Sequence, residues 1–263
     1  MITTDAVVGS PCWIDLGAPD VRAAVEFYGT VFGWEFEGLD EDGEYGVFRL
    51  DGRRVAGIGP LTEENARSAW MIYFSTTDAD AAARTVRELG GTVRREPFDV
   101  DGRARLAQFT DPLGAEFAVW QAGTDRGLEV VDEPGALNWI ELYTSHVAAA
   151  KEFYFELFGW SMEDMPLPGS GGAYALLTPA GGNQEHTHGG MMQVSSEYLD
   201  LAEGLPYWHP VFAVRECDAT VSRVTSHGGG IQLGPENAEN VGRMAVCLDR
   251  SGADFVVLES TNE

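Results

Sequence analysis

Apolar and polar positions along this chain follow two periods, a strand period of two and a helical period, and their succession recurs four times. Residues 12–17 (CWIDLG) change face at every step, as a half-buried strand does. After Asp20, a residue type that caps helices, Val21, Ala24, Val25, Tyr28, Val31 and Phe32 fall at helical spacing, and Gly33 closes the run. Three strand-like pieces follow: FEGL, EYGVFRL and RRVAGIG. The order then starts again. WMIYFST precedes a helix from Asp78 to Leu89, Gly90 and Gly91 end it, and TVRREPF, RARLAQFT and AEFAVWQ supply three more strands. Two such βαβββ units make up each half of the chain, which predicts an α+β fold with helices on one face of a curved sheet.

The halves are copies. Residues 13–34 and 139–160 align at an offset of 126, pairing Trp13 with Trp139, Phe27 with Phe153, Tyr28 with Tyr154 and Trp34 with Trp160, with Asp15 facing Glu141. Further along the offset is 138, pairing Trp70 with Trp208, Phe74 with Phe212, Arg105 with Arg243, Asp111 with Asp249 and Phe117 with Phe255. Twelve extra residues therefore lie between Trp160 and Trp208. The polar, turn-rich stretch 123–136 reads as a linker between domains at 10–122 and 137–260.

The paired βαβββ units, the A-x-x-F-Y-x-x-x-F-G-W helix and the D-P-x-G-x-x-F approach to the last strand resemble the vicinal oxygen chelate superfamily of glyoxalases, bleomycin-resistance proteins and extradiol dioxygenases. The two-domain layout is most similar to duplicated actinobacterial glyoxalase-like proteins often labelled hydroxylases. The resemblance covers nearly all of residues 10–260 and implies two curved sheets, each cupping a small-molecule pocket. In metal-dependent members four strands donate ligands. The matching positions here are Trp13 and Trp139, Met71 and His209, Ala118 and Val256, and the stretches 55–59 and 189–192. Only His209 among the single residues is an ordinary ligand, whereas transition-metal sites gather three or more N, O or S donors. No metal cofactor is therefore expected. The alternative is a divalent ion held by His209, Glu141 and His188; strand spacing would put His188 on one face with His186, whereas 180–190 (AGGNQEHTHGG) also reads as a loop.

Strand alternation assigns the faces. Ile14, Leu16, Ile72, Phe74, Ile140 and Leu142 should pack on the helices. Trp13, Asp15, Met71, Tyr73, Trp120, Trp139, Glu141, Tyr143, Met192 and His209 are the expected ligand contacts on the concave side. Such a surface suits a flat organic ligand. The expected role is binding a small aromatic metabolite or antibiotic, in resistance or as a biosynthetic accessory. The rival is an isomerase, lyase or oxygenase that uses Glu141 and His209 as its acid/base pair or metal ligands. The inward acids also have a structural reading, as anchors for backbone N–H groups or for Arg105 and Arg243.

Charge narrows the partners. With 42 acids against 17 bases and a net charge of −25, the chain repels nucleic acid and anionic membranes. Three cysteines without a C-x-x-C spacing fit reduced thiols. Residues 1–10 lack the basic and apolar segments of a signal peptide, so a cytoplasmic monomer or homodimer is expected. No P-loop, dinucleotide fingerprint or nucleophile elbow is present.

Overall fold

A computed structural model of the chain describes residues 1–5, 7–40, 44–61, 66–167 and 172–261. The first module is β1 (Pro11–Ala18), α1 (Val21–Phe32), β2 (Glu35–Gly38), β3 (Gly46–Leu50) and β4 (Arg53–Pro60). The second is β5 (Ala69–Thr76), α2 (Ala79–Glu88), β6 (Thr92–Val100), β7 (Ala104–Thr110) and β8 (Glu116–Ala122). The third is β9 (Leu137–Thr144), α3 (Val147–Phe158), β10 (Ser161–Pro166), β11 (Ala173–Thr178) and β12 (Gly189–Gln193). A short helix, α4 (Ser196–Leu199), precedes the fourth: β13 (Tyr207–Ala213), α5 (Cys217–Ser226), β14 (Gly230–Ala238), β15 (Gly242–Leu248) and β16 (Asp254–Ser260). The strands form two eight-stranded sheets, ordered β2-β3-β4-β1-β5-β8-β7-β6 and β10-β11-β12-β9-β13-β16-β15-β14. The α+β class and the tandem glyoxalase-like layout are as the sequence indicates.

Local chemistry sets the helix ends. The Asp20 carboxylate accepts the Ala23 N–H at 2.9 Å and Asp78 accepts that of Ala81 at 2.8 Å, each satisfying one orphan donor of a first turn. Gly33 ends α1 with φ of 76° and Gly159 ends α3 with φ of 68°, left-handed values that glycine adopts without strain. The buried face of α1 is Ala24, Phe27, Tyr28 and Val31, with Val21, Val25 and Phe32 only half-buried. That stripe is rotated from the expected one because Phe27, the bulkier side chain, takes the inward place.

Two compact units divide the chain, and neither coincides with a sequence half: Met1–Trp13, Ile72–Gly127 and Trp139–Trp208 form one, and Ile14–Met71, Leu128–Asn138 and His209–Glu263 the other. Each unit joins a module from one half to a module from the other. In the first, Phe117 of β8 packs 5.5 Å from Tyr154 and 6.0 Å from Phe153 of α3. Trp208 donates to the Tyr154 hydroxyl at 2.8 Å, and that hydroxyl donates to Asp111 at 3.1 Å. In the second, Phe255 of β16 lies 5.7 Å from Tyr28 of α1, Trp70 donates to Tyr28 at 3.2 Å, and Tyr28 donates to Asp249 at 3.2 Å. Both chains are buried. Each aspartate also accepts N–H groups from its own turn, Leu113, Gly114 and Ala115 for Asp111 and Ser251 and Ala253 for Asp249. Burial raises the pKa of both carboxyls above the usual range.

The stretch 123–136 contains no helix or strand, yet it is anchored rather than merely polar. Leu128, Val130 and Ala136 are buried. Glu133 holds Arg53 through two bonds of 2.8 and 2.7 Å, and Glu129 accepts the Arg54 N–H at 2.8 Å. All three cysteines are buried and free, and no helix among the described residues is long and apolar enough to cross a membrane.

Candidate functional site: an aromatic–carboxylate face

On β9, Ile140 and Leu142 are fully buried, which turns Trp139, Glu141 and Tyr143 to the other face. β12 runs parallel to β9 with Gly190 opposite Glu141, and β11 runs antiparallel to β12. The side chain of Tyr174, on β11, crosses above Gly190. A Cβ at that glycine would lie 2.1 Å from the tyrosine ring, so only glycine leaves the path open. Tyr174 thereby reaches Glu141, donating its hydroxyl hydrogen to Oε1 at 2.6 Å, and accepts the Trp139 indole N–H at 2.8 Å. Burial, followed by the Glu141 charge, drives the Tyr174 pKa well above the usual phenol range, so it stays a neutral donor. Neither the tyrosine nor the glycine was expected as part of the site. Their signal is a tyrosine at the start of a strand whose neighbour carries glycine, and only strand pairing reveals it.

Trp139 differs from the other six tryptophans. Those six are buried, at 0–8% exposure, whereas Trp139 is partly exposed, and its ring stacks on no other aromatic ring among the described residues. Its indole is nevertheless fixed by the bond to Tyr174. Tyr143 and Met192 close the rear of this face instead of opening onto it. Tyr143 is 2% exposed and packs with Leu199, Ala202, Tyr207 and Met192 beneath α4.

The first half repeats the carboxylate motif loosely. Tyr45 donates to Asp15 at 3.3 Å, and a Cβ at Gly57, the parallel partner of Asp15, would lie 1.7 Å from the carboxylate. Trp13, Tyr73 and Trp120 do not form the expected open wall. They are buried on one another, with Trp120 5.7 Å from Trp13 and 6.2 Å from Tyr73. Met71 is half-buried. Arg105 and Arg243 bond Asp80 and Asp218, leaving the inward acids to tyrosines.

His209 is fully buried on β13, and its Nδ1 lies 2.8 Å from Asp254, 3% exposed, at the start of the neighbouring parallel strand β16. Asp254 was not foreseen; the matching first-half residue, Glu116, is exposed and pairs with Arg94. Glu141 and His209 thus fall in different compact units, each with a partner of its own. His186 and His188 also separate. A 3₁₀ turn at Gln184–His186 lets His186 cap its own turn through Asn183, while His188 is completely buried against Trp160. Alternation fails there because β12 begins only at Gly189.

At the positions where metal-dependent members of the resembled family place ligands, Trp13 and Trp139 offer no donor lone pair, Ala118 and Val256 are fully buried aliphatics, and His209, its Nδ1 beside Asp254, has Nε2 to offer. Among the described residues, no three His, Cys, Asp or Glu side chains gather where one ion could be held.

Duplicated βαβββ modules with an aromatic–carboxylate face define a glyoxalase-type scaffold. Residues 12–120 match the glyoxalase-like domain, and residues 136–257 match the glyoxalase/bleomycin resistance protein/dioxygenase superfamily. The chain belongs to that superfamily. It is 37% identical to the anthracycline biosynthesis protein DnrV of Streptomyces peucetius, over 95% of this chain and 93% of the relative. It is 34% identical to the putative glyoxylase CFP32 of Mycobacterium bovis, over 95% of each. Among solved structures, the fold is similar to the 2,3-dioxygenase LapB from Pseudomonas sp. KL28, with a TM-score of 0.66 and 16% identity over 97% of this chain and 94% of that one. It is also similar to the Mn(II)-bound glyoxalase from Novosphingobium aromaticivorans, with a TM-score of 0.64 and 18% identity over 97% and 84% of the two chains.

Proposed function

We propose that the chain binds a small, flat aromatic metabolite, of the polyketide type that anthracycline biosynthesis handles, on the Trp139–Tyr174–Glu141 face and without a bound metal. One observation carries this reading: the single partly exposed tryptophan is held in one orientation by a hydrogen-bond chain ending on a carboxylate. A stacking surface fixed in advance loses little entropy on binding, and the carboxylate beside it accepts a phenolic hydroxyl of the ligand. The relatives named for anthracycline biosynthesis support the ligand class.

The test is a fluorescence titration with a dihydroxyanthraquinone. Wild-type protein should show saturable quenching and Trp139→Phe should lose most of it. Tyr174→Phe, which frees the indole, should bind about tenfold more weakly, the value of one hydrogen bond to the binding geometry. Absence of saturation, or equal binding by Trp139→Phe, refutes the proposal.

A second reading is an enzyme, favoured by the His209–Asp254 pair. A carboxylate on Nδ1 fixes the tautomer and orientation of the imidazole, the arrangement that suits a general base. On this reading His209, backed by Asp254, handles a proton or helps hold a divalent ion in an isomerase, lyase or oxygenase step. Conversion of the anthraquinone by wild type but not by His209→Gln would select it. Stoichiometric metal in protein purified without chelator would favour its metal-dependent form.

A further inference from the structure

Apart from the Trp139 face, a groove of about 360 Å³ opens in the second compact unit, where the end of α1, the segment at Pro134 and the start of α5 meet. Its lining mixes apolar side chains, Phe32 and Pro134 among them, with Arg215, Arg223 and Glu216. Arg223 is fixed: Nε donates to the Val31 carbonyl at 3.1 Å and Nη2 to the Thr220 hydroxyl at 2.8 Å. These bonds hold its guanidinium in place and leave Nη1 for a further acceptor. Arg215 is exposed. Neither arginine pairs with a carboxylate among the described residues. The chain carries 42 acids against 17 bases, so two arginines side by side at one groove make a local basic spot on an acidic surface. Two guanidiniums without a carboxylate partner among the described residues, beside the partly exposed Phe32 and Pro134, have the chemistry of a receptor for an organic anion.

We propose that this groove is a second binding site, separate from the Trp139 face, for a small carboxylate with an aromatic or branched aliphatic body. The carboxylate lies between Arg215 and Arg223 and the body covers Phe32 and Pro134. The volume is that of a small-molecule site, near the lower end of the usual range of about 300–1,000 Å³. Glu216 on the rim narrows the choice, because it repels a multiply charged anion such as phosphate more than a single carboxylate.

The experiment is calorimetric titration of the full chain with benzoate, benzamide and inorganic phosphate at fixed ionic strength. Benzoate should bind saturably. Benzamide, of the same shape without the charge, and phosphate, without the apolar body, should each bind at least about tenfold more weakly, the factor set by one lost charge-assisted hydrogen bond. Arg215→Gln, which disturbs no bond within the protein, should weaken benzoate by a similar factor. Arg223→Gln should do so too, with a melting profile checking that the α1 terminus survives. Trp139→Phe should leave benzoate binding intact, so failure at one face does not imply failure at the other. Undetectable benzoate binding, benzamide binding as well as benzoate, or wild-type affinity in the double arginine variant would overturn the proposal.

Discussion

His188 is the sharpest place to perturb this molecule. The strand registers pair Asp15 with Gly57 and Glu141 with Gly190, so His188 occupies the position that Val55 holds in the first half. Both residues are completely buried, but only one is polar. Neither nitrogen of His188 makes a well-formed hydrogen bond, and the ring stands edge-on to Trp160 at 5.2 Å. Burial, aided by the nearby chain amine, pushes the imidazole pKa down from 6.5 to about 3, and the His186 carbonyl opposes this only weakly. A base with a depressed folded pKa takes up its proton more readily in the unfolded chain, so its stability is intact above pH 6.5 and drains away as pH falls toward 3. Integrated over that window, the loss is about 2 kcal/mol at pH 5 and about 3 kcal/mol at pH 4, undiscounted for solvent because the ring is inaccessible.

Replacing His188 with valine, the first half's own solution, should abolish this term. The assay is urea unfolding of wild type and His188→Val from about pH 7.5 to about pH 4.5. Asp111 and Asp249, with raised pKa values, act in the opposite sense: each favours the folded state as pH falls from its folded pKa toward 3.8. Those contributions are common to both proteins and cancel in the difference, which should grow by about 2 kcal/mol between neutral pH and pH 5. Curves that stay parallel within about 0.5 kcal/mol would refute a buried, neutral, unpartnered imidazole.

Two other predictions concern the polar chains. Tyr154→Phe removes a hydroxyl that serves both Trp208 and Asp111, leaving two buried groups unsatisfied, and should cost about 2–4 kcal/mol in a denaturation experiment; a loss near zero would contradict the network. Gly190→Ala places a methyl where the Tyr174 ring now lies, so it should displace the ring, shift tryptophan emission to the red and match Tyr174→Phe in the anthraquinone titration. Unchanged emission and binding would show that the tyrosine does not cross there.

What the sequence reveals follows from the range of each interaction. Strand alternation correctly buries Ile14, Leu16, Ile72, Phe74, Ile140 and Leu142, and the caps at Asp20, Asp78 and Gly33 are visible because their partners lie within four residues. Tyr45 and Tyr174 escape notice because the carboxylates they serve are 30 and 33 residues distant and are reached only across a glycine on another strand. Asp254 hides for the same reason, 45 residues from His209. Trp13, Tyr73 and Trp120 point where alternation puts them, but periodicity assigns a face and carries no volume. It cannot tell a pocket wall from three rings buried on one another.

The deepest ambiguity is the repeat itself. Tyr28 matches Tyr154 and Asp111 matches Asp249 in sequence, and either tyrosine has the right chemistry for either aspartate. The structure pairs Tyr28 with Asp249 and Tyr154 with Asp111, each bond linking one half to the other. A fragment of residues 1–127 should therefore fail as a compact monomer, because α1 loses Phe255 and Asp249 while β8 loses Phe153 and Tyr154. The same fragment carries its own copy of every missing group, Asp111 and Phe117 on one side and Phe27 and Tyr28 on the other. Two fragments can thus satisfy each other by the exchange that makes domain swapping a low-cost route to dimers. Light scattering should give twice the fragment's mass, or aggregation where pairing fails. A monodisperse monomer that unfolds as cooperatively as the full chain would show that the cross-half bonds are not what holds each unit together.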